Sequence, residues 1–327
     1  MPLWPEVFKG FSKLRVLIIG DVMVDAYIWG VVERMSPEAP VPVVQVKARD
    51  NRLGGAANVA LNILSMGATP ILCAIAGNDD NGKLLQRLLD EKKLTKEGIV
   101  ISETRPTTVK ARVIASHQHV LRIDQESDAV ATEHEERELL KRIGKLLPEC
   151  DVIIFEDYDK GVITPSLIAQ VVKWAVENEI ATVVDPKKRN FLHYEGVTLF
   201  KPNVKELKEG LKIDLDPRDE VQVRAAVKLL KEKLKVEGVM LTRSEHGVYI
   251  DYQGAQLPLP AHKREIADVS GAGDTVVAIA ALCIAMKLGA RETAELSNLG
   301  GGLVCQHVGV VPIDKEELLQ EVSSLPI

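Results

Sequence analysis

The sequence has few of the features that mark secreted, metal-binding or nucleic-acid-binding proteins. Its four cysteines are widely spaced and form no C-x-x-C pair, which argues against a disulfide framework or a zinc site and predicts reduced thiols. The net charge of -6 argues against nucleic acid as the main partner, because nucleic-acid binding usually needs a basic surface. Aromatic residues make up only 4% of the 327 residues, so the core must be built mainly from aliphatic side chains.

The sequence also has no long hydrophobic run. The longest, from Val276 to Met286, is far shorter than the ~20 residues of a membrane-spanning helix and predicts a buried helix. The first residues, Met1-Pro-Leu-Trp-Pro-Glu, lack the basic and then apolar pattern of a signal peptide. We therefore expect a cytoplasmic location and no membrane partner.

The sequence does contain a regular alternation of apolar strands and amphipathic helices. Branched apolar runs predict buried strands at 14–20, 70–76, 151–155, 181–184, 197–200 and 238–242. Helices are predicted between and after them, at 56–66, 80–93, 133–147, 165–178, 203–209, 218–234, 274–287, 291–306 and 314–323. This alternation predicts an α/β fold with a mostly parallel central sheet, helices on both faces and ligands at the carboxyl ends of the strands.

Two regions interrupt this alternation. Residues 107–113 and 118–124 alternate strictly, so that Thr108, Lys110 and Arg112 share one face of a strand. Residues 41–49 begin among prolines, which confine a strand to an edge or to a separate sheet. We expect these segments to form a small accessory sheet within a single domain of residues 1–327.

One segment imitates a phosphate-binding loop. Residues 77–83 fit the first seven positions of a Walker A motif, but Leu84 stands where the motif needs a magnesium-binding Ser or Thr. We interpret the segment as a polar turn that begins a helix.

The segment Asp268-Val-Ser-Gly-Ala-Gly-Asp274 carries the strongest chemical signal. Its small residues directly precede an apolar helix, where exposed backbone N–H groups and the helix dipole bind anions. Asp274 would lie beside a phosphate held there and could accept the proton of an attacking hydroxyl. The alternative is that Asp274 only caps the helix and the glycines only allow close packing.

Three other segments favour a phosphoryl-transfer site. Asn203 and Glu206 are three residues apart at a helix start, where they could hold the water ligands of Mg²⁺, although a capping box explains the same spacing. Leu53-Gly-Gly-Ala-Ala-Asn58 is a second glycine-rich helix start, suited to a polar ligand that approaches closely. Asp21 and Asp25 follow the first strand, where they could bind sugar hydroxyls.

In this order, the motifs resemble those of the PfkB (ribokinase-like) family of carbohydrate kinases over essentially the whole chain. The resemblance rests on residues 54–58, 203–206 and 268–274 and implies an ATP-dependent sugar kinase with Asp274 as its base. It also implies an anion hole at Gly271, Ala272 and Gly273, and a lid formed by the small sheet, through which a homodimer is expected. For the cofactors, the resemblance implies an ATP and Mg²⁺ site at Asn203, Val204, Lys205 and Glu206, a nucleotide pocket at Thr242, Ser244 and Gly247, and a K⁺ site at Asp268 and Ser270.

A narrower likeness concerns the acceptor. Segments 20–27, 34–44, 110–112 and 157–161 look like those of kinases that phosphorylate the anomeric (C1) hydroxyl of D-glycero-D-manno-heptose 7-phosphate in ADP-heptose and lipopolysaccharide synthesis. An acceptor that already carries a phosphate needs cations away from ATP. The residues that could line its site are Asp21, Asp25, Gly54, Gly55, Asn58, Lys110, Arg112, Arg122, Asp157 and Lys187. For each cation taken alone, a solvated surface charge is the more common explanation. Ribose, fructose or a keto-deoxy sugar acid as acceptor, or a non-catalytic sugar-binding protein, are the alternatives.

Overall fold

A nine-stranded sheet and a separate four-stranded sheet organise the chain in the computed structural model, which describes residues 3–115 and 118–325. In chain order the strands are β1 (Arg15–Gly20), β2 (Val22–Met35), β3 (Pro42–Gly55), β4 (Thr69–Gly77), β5 (Gly98–Ser102), β6 (Thr108–Ala115), β7 (Gln118–Gln125), β8 (Val152–Glu156), β9 (Ala181–Asp185), β10 (Leu199–Phe200), β11 (Gly238–Thr242), β12 (Val248–Tyr252) and β13 (Ala255–Leu259). The α-helices are α1 (Trp4–Phe11), α2 (Ala56–Ser65), α3 (Asp80–Glu91), α4 (Glu133–Leu146), α5 (Pro165–Glu177), α6 (Val204–Leu211), α7 (Glu220–Leu234), α8 (Ala272–Ala285), α9 (Ala290–Val304) and α10 (Lys315–Ser324).

The nine-stranded sheet has the order β13-β12-β11-β10-β9-β8-β1-β4-β5, and only β12 and β13 run antiparallel to their neighbours. Its strands are apolar on both faces because helices cover both. In β1, for example, Val16 and Ile18 belong to the core on the side of α2 and α8, whereas Leu17 and Ile19 belong to the core on the side of α4, α5 and α7. The predicted α/β fold is confirmed. No helix within residues 3–115 and 118–325 is both long and apolar enough to cross a membrane.

The four-stranded sheet has the order β3-β2-β6-β7 and contains the segments predicted at 41–49 and 107–124. We call it the lid. Strand β2 pairs antiparallel with β3 and parallel with β6 over most of its 14 residues. The strand was not predicted, because its first half is buried on both faces and shows no polar alternation. Ser116 and His117, the residues of the polar turn expected between the predicted strands 107–113 and 118–124, lie outside the described residues.

The Walker-like segment is a turn and a helix start, as the sequence predicts. Asp79 is the N-cap of α3, and its carboxylate accepts hydrogen bonds from the N–H groups of Gly82 (2.7 Å) and Thr107 (2.9 Å). A Cβ on Gly82 would lie only 2.0 Å from the Gly77 carbonyl oxygen. The loop therefore closes on itself and on residue 107, with no room for a phosphate.

The side chain of Asn62 joins three separate elements inside the core. It is fully buried in α2, accepts hydrogen bonds from Thr275 Oγ1 of α8 and from the Ile313 N–H (both 3.0 Å), and donates to the Asn58 carbonyl (2.9 Å). The Asn62 side chain thus fixes α2, the start of α8 and the segment before α10 relative to one another.

Replacing Asn62 by Ala should therefore destabilise the protein. The change leaves buried donors unsatisfied, and each costs about 1–3 kcal/mol of the free energy of unfolding. Urea titration followed by circular dichroism measures the change. Leu64→Ala on the exposed side of the same helix is the control and should change stability by no more than about 0.5 kcal/mol. Equal losses in the two variants would show that Asn62 has no bridging role.

Candidate active site

The first turn of α8 lies at the carboxyl edge of the nine-stranded sheet. Gly271 precedes it with φ of 81°, a left-handed conformation that favours glycine. The Ala272 N–H donates to the Val269 carbonyl at 3.3 Å, whereas the N–H groups of Gly271 and Gly273 have no acceptor within the described residues. A Cβ on Gly273 would be 3.4 Å from Asp185 Oδ2, so the backbone of this turn passes close to a buried charge. The turn has the free donors of an anion-binding site.

Within the described residues, the carboxylate of Asp274 accepts no hydrogen bond from the N–H groups of its own helix. Gly271 is the N-cap residue and no side chain caps α8, so the helix-cap alternative does not describe this carboxylate. Asn58 Nδ2 donates to Oδ2 and the Tyr158 hydroxyl donates to Oδ1, each at 2.7 Å. Burial raises the pKa of Asp274, and these two hydrogen bonds partly oppose the rise because they stabilise the ionised form.

Tyr158 belongs to a loop that follows β8 and is held in place by Asp21. The Asp21 carboxylate accepts hydrogen bonds from the N–H groups of Tyr158 (2.9 Å), Lys160 (3.2 Å) and Val162 (3.1 Å). Burial raises the pKa of Asp21 to about 6, although these bonds favour the carboxylate. In this structure Asp21 therefore organises the loop that carries Tyr158, and sugar binding by Asp21 stays a prediction.

Asp157, also predicted to bind the acceptor, contacts other parts of the protein. Its carboxylate accepts hydrogen bonds from Asn190 Nδ2 (2.9 Å), the Tyr194 hydroxyl (2.8 Å) and the Asp159 N–H (2.9 Å). In the structure, Asp157 therefore anchors the loop after β8 to Asn190 and Tyr194.

Asn203 and Glu206 form the capping box of α6. Asn203 Oδ1 accepts from the Glu206 N–H at 2.8 Å, and Glu206 Oε2 accepts from the Asn203 N–H at 2.9 Å. The second oxygen of Glu206 binds Lys187 Nζ at 2.6 Å. Both interpretations of the spacing are thus compatible, because Glu206 caps the helix and also presents an oxygen to the site. Val204 and Lys205 form the first turn, and the Lys205 side chain is 82% exposed.

The predicted nucleotide residues lie beside α6. Thr242 forms a β-bridge with Asn203, and its N–H donates to the Pro202 carbonyl at 3.0 Å. Ser244 and Gly247 both have positive φ, of 50° and 77°. A Cβ on Gly247 would be 2.1 Å from the Leu259 carbonyl oxygen, so this position needs glycine. Segments 203–206 and 242–247 are therefore adjacent, as their shared assignment to ATP requires.

Three charged residues in this region were not predicted from the sequence. Asp185 and Glu156 end two neighbouring strands in register with each other, and Lys201 Nζ lies 2.8 Å from Asp185 Oδ2. Glu156 is fully buried, and neither of its oxygens has a hydrogen-bond partner among the described residues. Burial and then Asp185 and Asp274 raise the pKa of Glu156. In the sequence, the only feature that marks Glu156, Asp185 and Lys201 is that each is a charged residue at the end of an apolar strand.

The oxygen donors of this cluster suit Mg²⁺ bound with ATP. Mg²⁺ prefers oxygen ligands, takes one or two carboxylates and keeps several waters. Asp185 Oδ1 is buried without a hydrogen-bond partner within the described residues, as are both oxygens of Glu156. Lys187 lies near Asp185 (3.5 Å) and over the ring of Tyr158. Burial would lower the pKa of Lys187, but Asp185 and Glu206 raise it well above its ordinary value, so this amine stays charged.

On the lid side, Arg112 forms an ion pair with the buried carboxylate of Asp25. A Cβ on Gly54 would be 2.1 Å from Asp25 Oδ2, so a larger residue there would displace this carboxylate. Gly55 has φ of 59°, which favours glycine. Arg122 is 60% exposed and pairs with Asp124. The structure brings Asp25, Gly54 and Arg112 together and leaves Arg122 at the edge.

The loop that contains Asp268 meets the lid. Asp268 accepts hydrogen bonds from Ser270 Oγ (2.8 Å), the Ser270 N–H and the Gly309 N–H (both 2.9 Å). The Val310 N–H next to it donates to the Tyr27 hydroxyl of β2 at 2.9 Å. Burial alone would raise the pKa of Asp268, but these hydrogen bonds lower it, so the carboxylate is ionised.

Comparison with known proteins places this arrangement in context. A model described as pfkB family carbohydrate kinase matches residues 13–316. The bifunctional protein HldE of Syntrophotalea carbinolica is 40% identical over 308 residues, which cover 94% of this chain and 62% of that protein. HldE of Geobacter sulfurreducens is 37% identical over 315 residues, which cover 96% and 64%. The chain thus spans a little less than two thirds of the length of these relatives.

Solved structures show the same fold at low sequence identity. Phosphofructokinase-2 from Escherichia coli in complex with potassium has a TM-score of 0.77 at 19% identity, covering 95% of this chain and 99% of that one. Ribokinase from Arabidopsis thaliana, complexed with ribose and ATP, has a TM-score of 0.71 at 16% identity, covering 94% and 99%. These likenesses establish the ribokinase-like fold that the sequence predicts.

The hydrogen bond from Tyr158 should lower the pKa of Asp274. Tyr158→Phe removes a donor to the ionised carboxylate, so the pKa of Asp274 should rise further, because the ionised form loses one charge-assisted hydrogen bond. Carbon-13 NMR of aspartate-labelled protein measures the pKa, with Asp274→Asn providing the assignment. Tyr194→Phe is the matched control, since it removes the same kind of donor from Asp157 instead. An unchanged Asp274 titration in Tyr158→Phe would contradict the prediction.

Proposed function

We infer that this chain, which belongs to the pfkB family of carbohydrate kinases, transfers the γ-phosphoryl group of ATP to the anomeric (C1) hydroxyl of D-glycero-D-manno-heptose 7-phosphate. The product would be the 1,7-bisphosphate, a precursor of ADP-heptose and lipopolysaccharide. The HldE relatives support this choice of acceptor, as do the segments that resemble heptose 7-phosphate kinases. A cytoplasmic location is part of the proposal, and the four buried, free cysteines agree with it.

The observation that carries the proposal is the position of Asp274. The carboxylate is buried and adjoins the anion-binding turn, and it is held by two neutral donors rather than by a cation. It therefore remains basic enough to accept the proton of the sugar hydroxyl as that hydroxyl attacks the γ-phosphorus. The free N–H groups of Gly271 and Gly273 would stabilise the negative charge on the transferred group. The enzyme thus supplies position and charge, which is what phosphoryl transfer needs.

The kinases of this family use ATP and Mg²⁺, and here we assign the metal side of the site to Asn203, Glu206 and Asp185. Bound Mg²⁺ would neutralise charge on the phosphate oxygens. Lys187 forms ion pairs with Asp185 and Glu206, and Lys201 forms one with Asp185. These carboxylates keep both ammonium groups charged, and the ammonium groups would lie beside the phosphates of ATP. Thr242, Ser244 and Gly247 would line the nucleotide.

A K⁺ site at Asp268 and Ser270 is also part of the proposal. The support is that Asp268 orders the segment directly before the anion-binding turn and is ionised. The complex of phosphofructokinase-2 with potassium belongs to a protein of the same fold. K⁺ would act by fixing the backbone before Gly271 and not by touching the sugar.

We further propose that residues 1–327 act as one kinase domain that forms a homodimer through the lid. Leu121 and Ile123 of β7 are 56% and 52% exposed, and Val46 of β3 is 44% exposed. Exposed apolar side chains on a sheet are a usual feature of a surface that binds another copy.

The choice of acceptor is tested by comparing the activity of the enzyme on different sugars. We expect kcat/KM for heptose 7-phosphate to exceed that for unphosphorylated heptose by about 10- to 100-fold or more, since a charge-assisted contact to phosphate is worth about 1.5–3 kcal/mol. ADP release over a panel that includes ribose, fructose and a keto-deoxy sugar acid measures it. Equal activity on phosphorylated and free heptose would overturn the assignment.

The role of Asp274 is tested by Asp274→Asn. Asn preserves the shape of the side chain but cannot accept the proton, so kcat should fall by about 10²- to 10⁴-fold. ATP affinity, measured by calorimetry, should change little because the anion-binding turn uses backbone donors. Asp314→Asn is the matched control, because Asp314 caps α10 through two backbone hydrogen bonds and Asn is an equally good cap. A folded Asp274→Asn enzyme with near-normal kcat would show that the residue is structural.

A further inference from the structure

Three charged side chains join the lid to the core next to the Tyr158 loop. Lys160 Nζ lies 2.8 Å from Glu126 Oε1, and Lys110 Nζ lies 3.6 Å from Glu126 Oε2. Lys110 is on β6 of the lid, Lys160 is on the loop after β8, and Glu126 directly follows β7. We call them the Lys110–Glu126–Lys160 cluster. The two lysine side chains are each 17% exposed and that of Glu126 is 30% exposed, so the lysines are partly shielded from water and Glu126 lies at the solvent-exposed rim.

The cluster carries more positive than negative charge. One carboxylate faces two ammonium groups, and Lys160 also lines a small polar cavity of about 10 Å³ with Thr108 and Ser127. Arg105 lines the same cavity, but its guanidinium donates to the carbonyls of Ala129 and Lys160 and is near Glu135. Asp21 lines the same cavity, but backbone N–H groups occupy its carboxylate.

Lys110 also lies in register between two carboxylates of the neighbouring strands, Asp25 and Asp124, and each of these is paired with an arginine. Arg112 pairs with Asp25, and Arg122 with Asp124. Partly buried positive charge without its own counter-ion favours binding of an anion.

The position of the cluster fits the far end of a phosphorylated sugar. Tyr158 and Lys160 are on one short loop, where Tyr158 reaches Asp274 and Lys160 reaches Glu126. The loop is curled rather than extended, since Asp159 has φ of 57° and the N–H groups of Tyr158 and Lys160 both donate to Asp21 Oδ2. The two side chains therefore start close together and diverge from there, to Asp274 and to Glu126. A heptose 7-phosphate carries its reacting hydroxyl and its phosphate at opposite ends of the carbon chain. One loop could therefore direct the base to one end of the sugar and a cation to the other.

We propose that Lys110 and Lys160 bind the phosphate that the acceptor already carries, and that Glu126 occupies their ammonium groups until this phosphate displaces it. The inference rests on the proposed function, since it requires a phosphorylated acceptor. In the free enzyme, Glu126 keeps the two ammonium groups together and reduces their mutual repulsion. A phosphate dianion offers more charge and more acceptor oxygens than one carboxylate, so it takes over both contacts. Displacement of Glu126 then costs part of the binding energy.

This arrangement has a consequence that an ordinary substrate contact would not have. Removing the negative charge of Glu126 should improve binding of the acceptor, because the lysines no longer have to exchange one anion for another. We expect Glu126→Gln to lower KM for heptose 7-phosphate by about 3- to 10-fold. The KM for ATP and kcat should stay within about twofold, because Glu126 contacts neither Asp274 nor the residues assigned to ATP.

The lysines should behave in the opposite way. Lys160→Met keeps the length of the side chain without its charge and should raise KM for heptose 7-phosphate by about 10-fold or more, with the KM for ATP unchanged. Lys160→Arg should restore much of the binding, which separates charge from packing. Lys173→Met and Glu177→Gln, in an exposed ion pair on α5, are the matched controls and should change neither constant.

Measuring binding of the acceptor in the absence of ATP, where no reaction occurs, completes the test. Calorimetry with heptose 7-phosphate, and with inorganic phosphate as a competitor, should show tighter binding of both to Glu126→Gln than to the wild type. Weaker binding by Glu126→Gln would overturn the inference, since it would mean that Glu126 contacts the sugar directly. Unchanged KM in both Glu126→Gln and Lys160→Met, in an enzyme that prefers heptose 7-phosphate, would also overturn it. A wild-type enzyme that does not prefer phosphorylated heptose would instead refute the proposed function.

Discussion

The site depends on how one buried carboxylate, that of Asp274, is held. Its two oxygens are bound by Asn58 at the start of α2 and by Tyr158 on the loop after β8. These donors come from parts of the chain that are far apart in sequence, and each is fixed in turn by other contacts. Asn62 anchors α2, and Asp21 anchors the loop of Tyr158. Burial raises the pKa of Asp274, and these two hydrogen bonds oppose the rise because they stabilise the ionised form that the proposed role as base requires.

Near Asp274, the lysine ammonium groups are paired with carboxylates of the protein itself. Lys187 and Lys201 share the carboxylates of Asp185 and Glu206, while Glu156 lies among them without a hydrogen-bond partner in the described part of the chain. Such a cluster is stable only if its charges nearly balance, because burial penalises each of them. The phosphates of ATP add negative charge and Mg²⁺ adds positive charge, so the cluster is suited to binding both together.

The sequence predicts the parts of the site that are local in the chain. Residues 268–274 and 203–206 each combine small or polar residues at a helix start, and short-range spacing is enough to recognise them. Tyr158, Asp185 and Lys201 could not be predicted in this way, since what matters is which strand lies next to which, and the order β10-β9-β8-β1 is not local information. Strand β2 was missed for a related reason, because burial on both faces removes the alternation that marks a strand.

Two of the four chain connections between the lid and the core have no linker. Only Asp21 separates β1 from β2, and β3 ends at Gly55, directly before α2 begins at Ala56. These two junctions lie side by side, since the Ala56 N–H donates to the Asp21 carbonyl at 3.0 Å. The other two connections, residues 103–107 and 126–132, are longer. A tilt of the lid about Asp21 and Gly55 would pull on the first turn of α2, which carries Asn58. Closing the lid over a sugar and aligning the base with its hydroxyl would then be a single mechanical event.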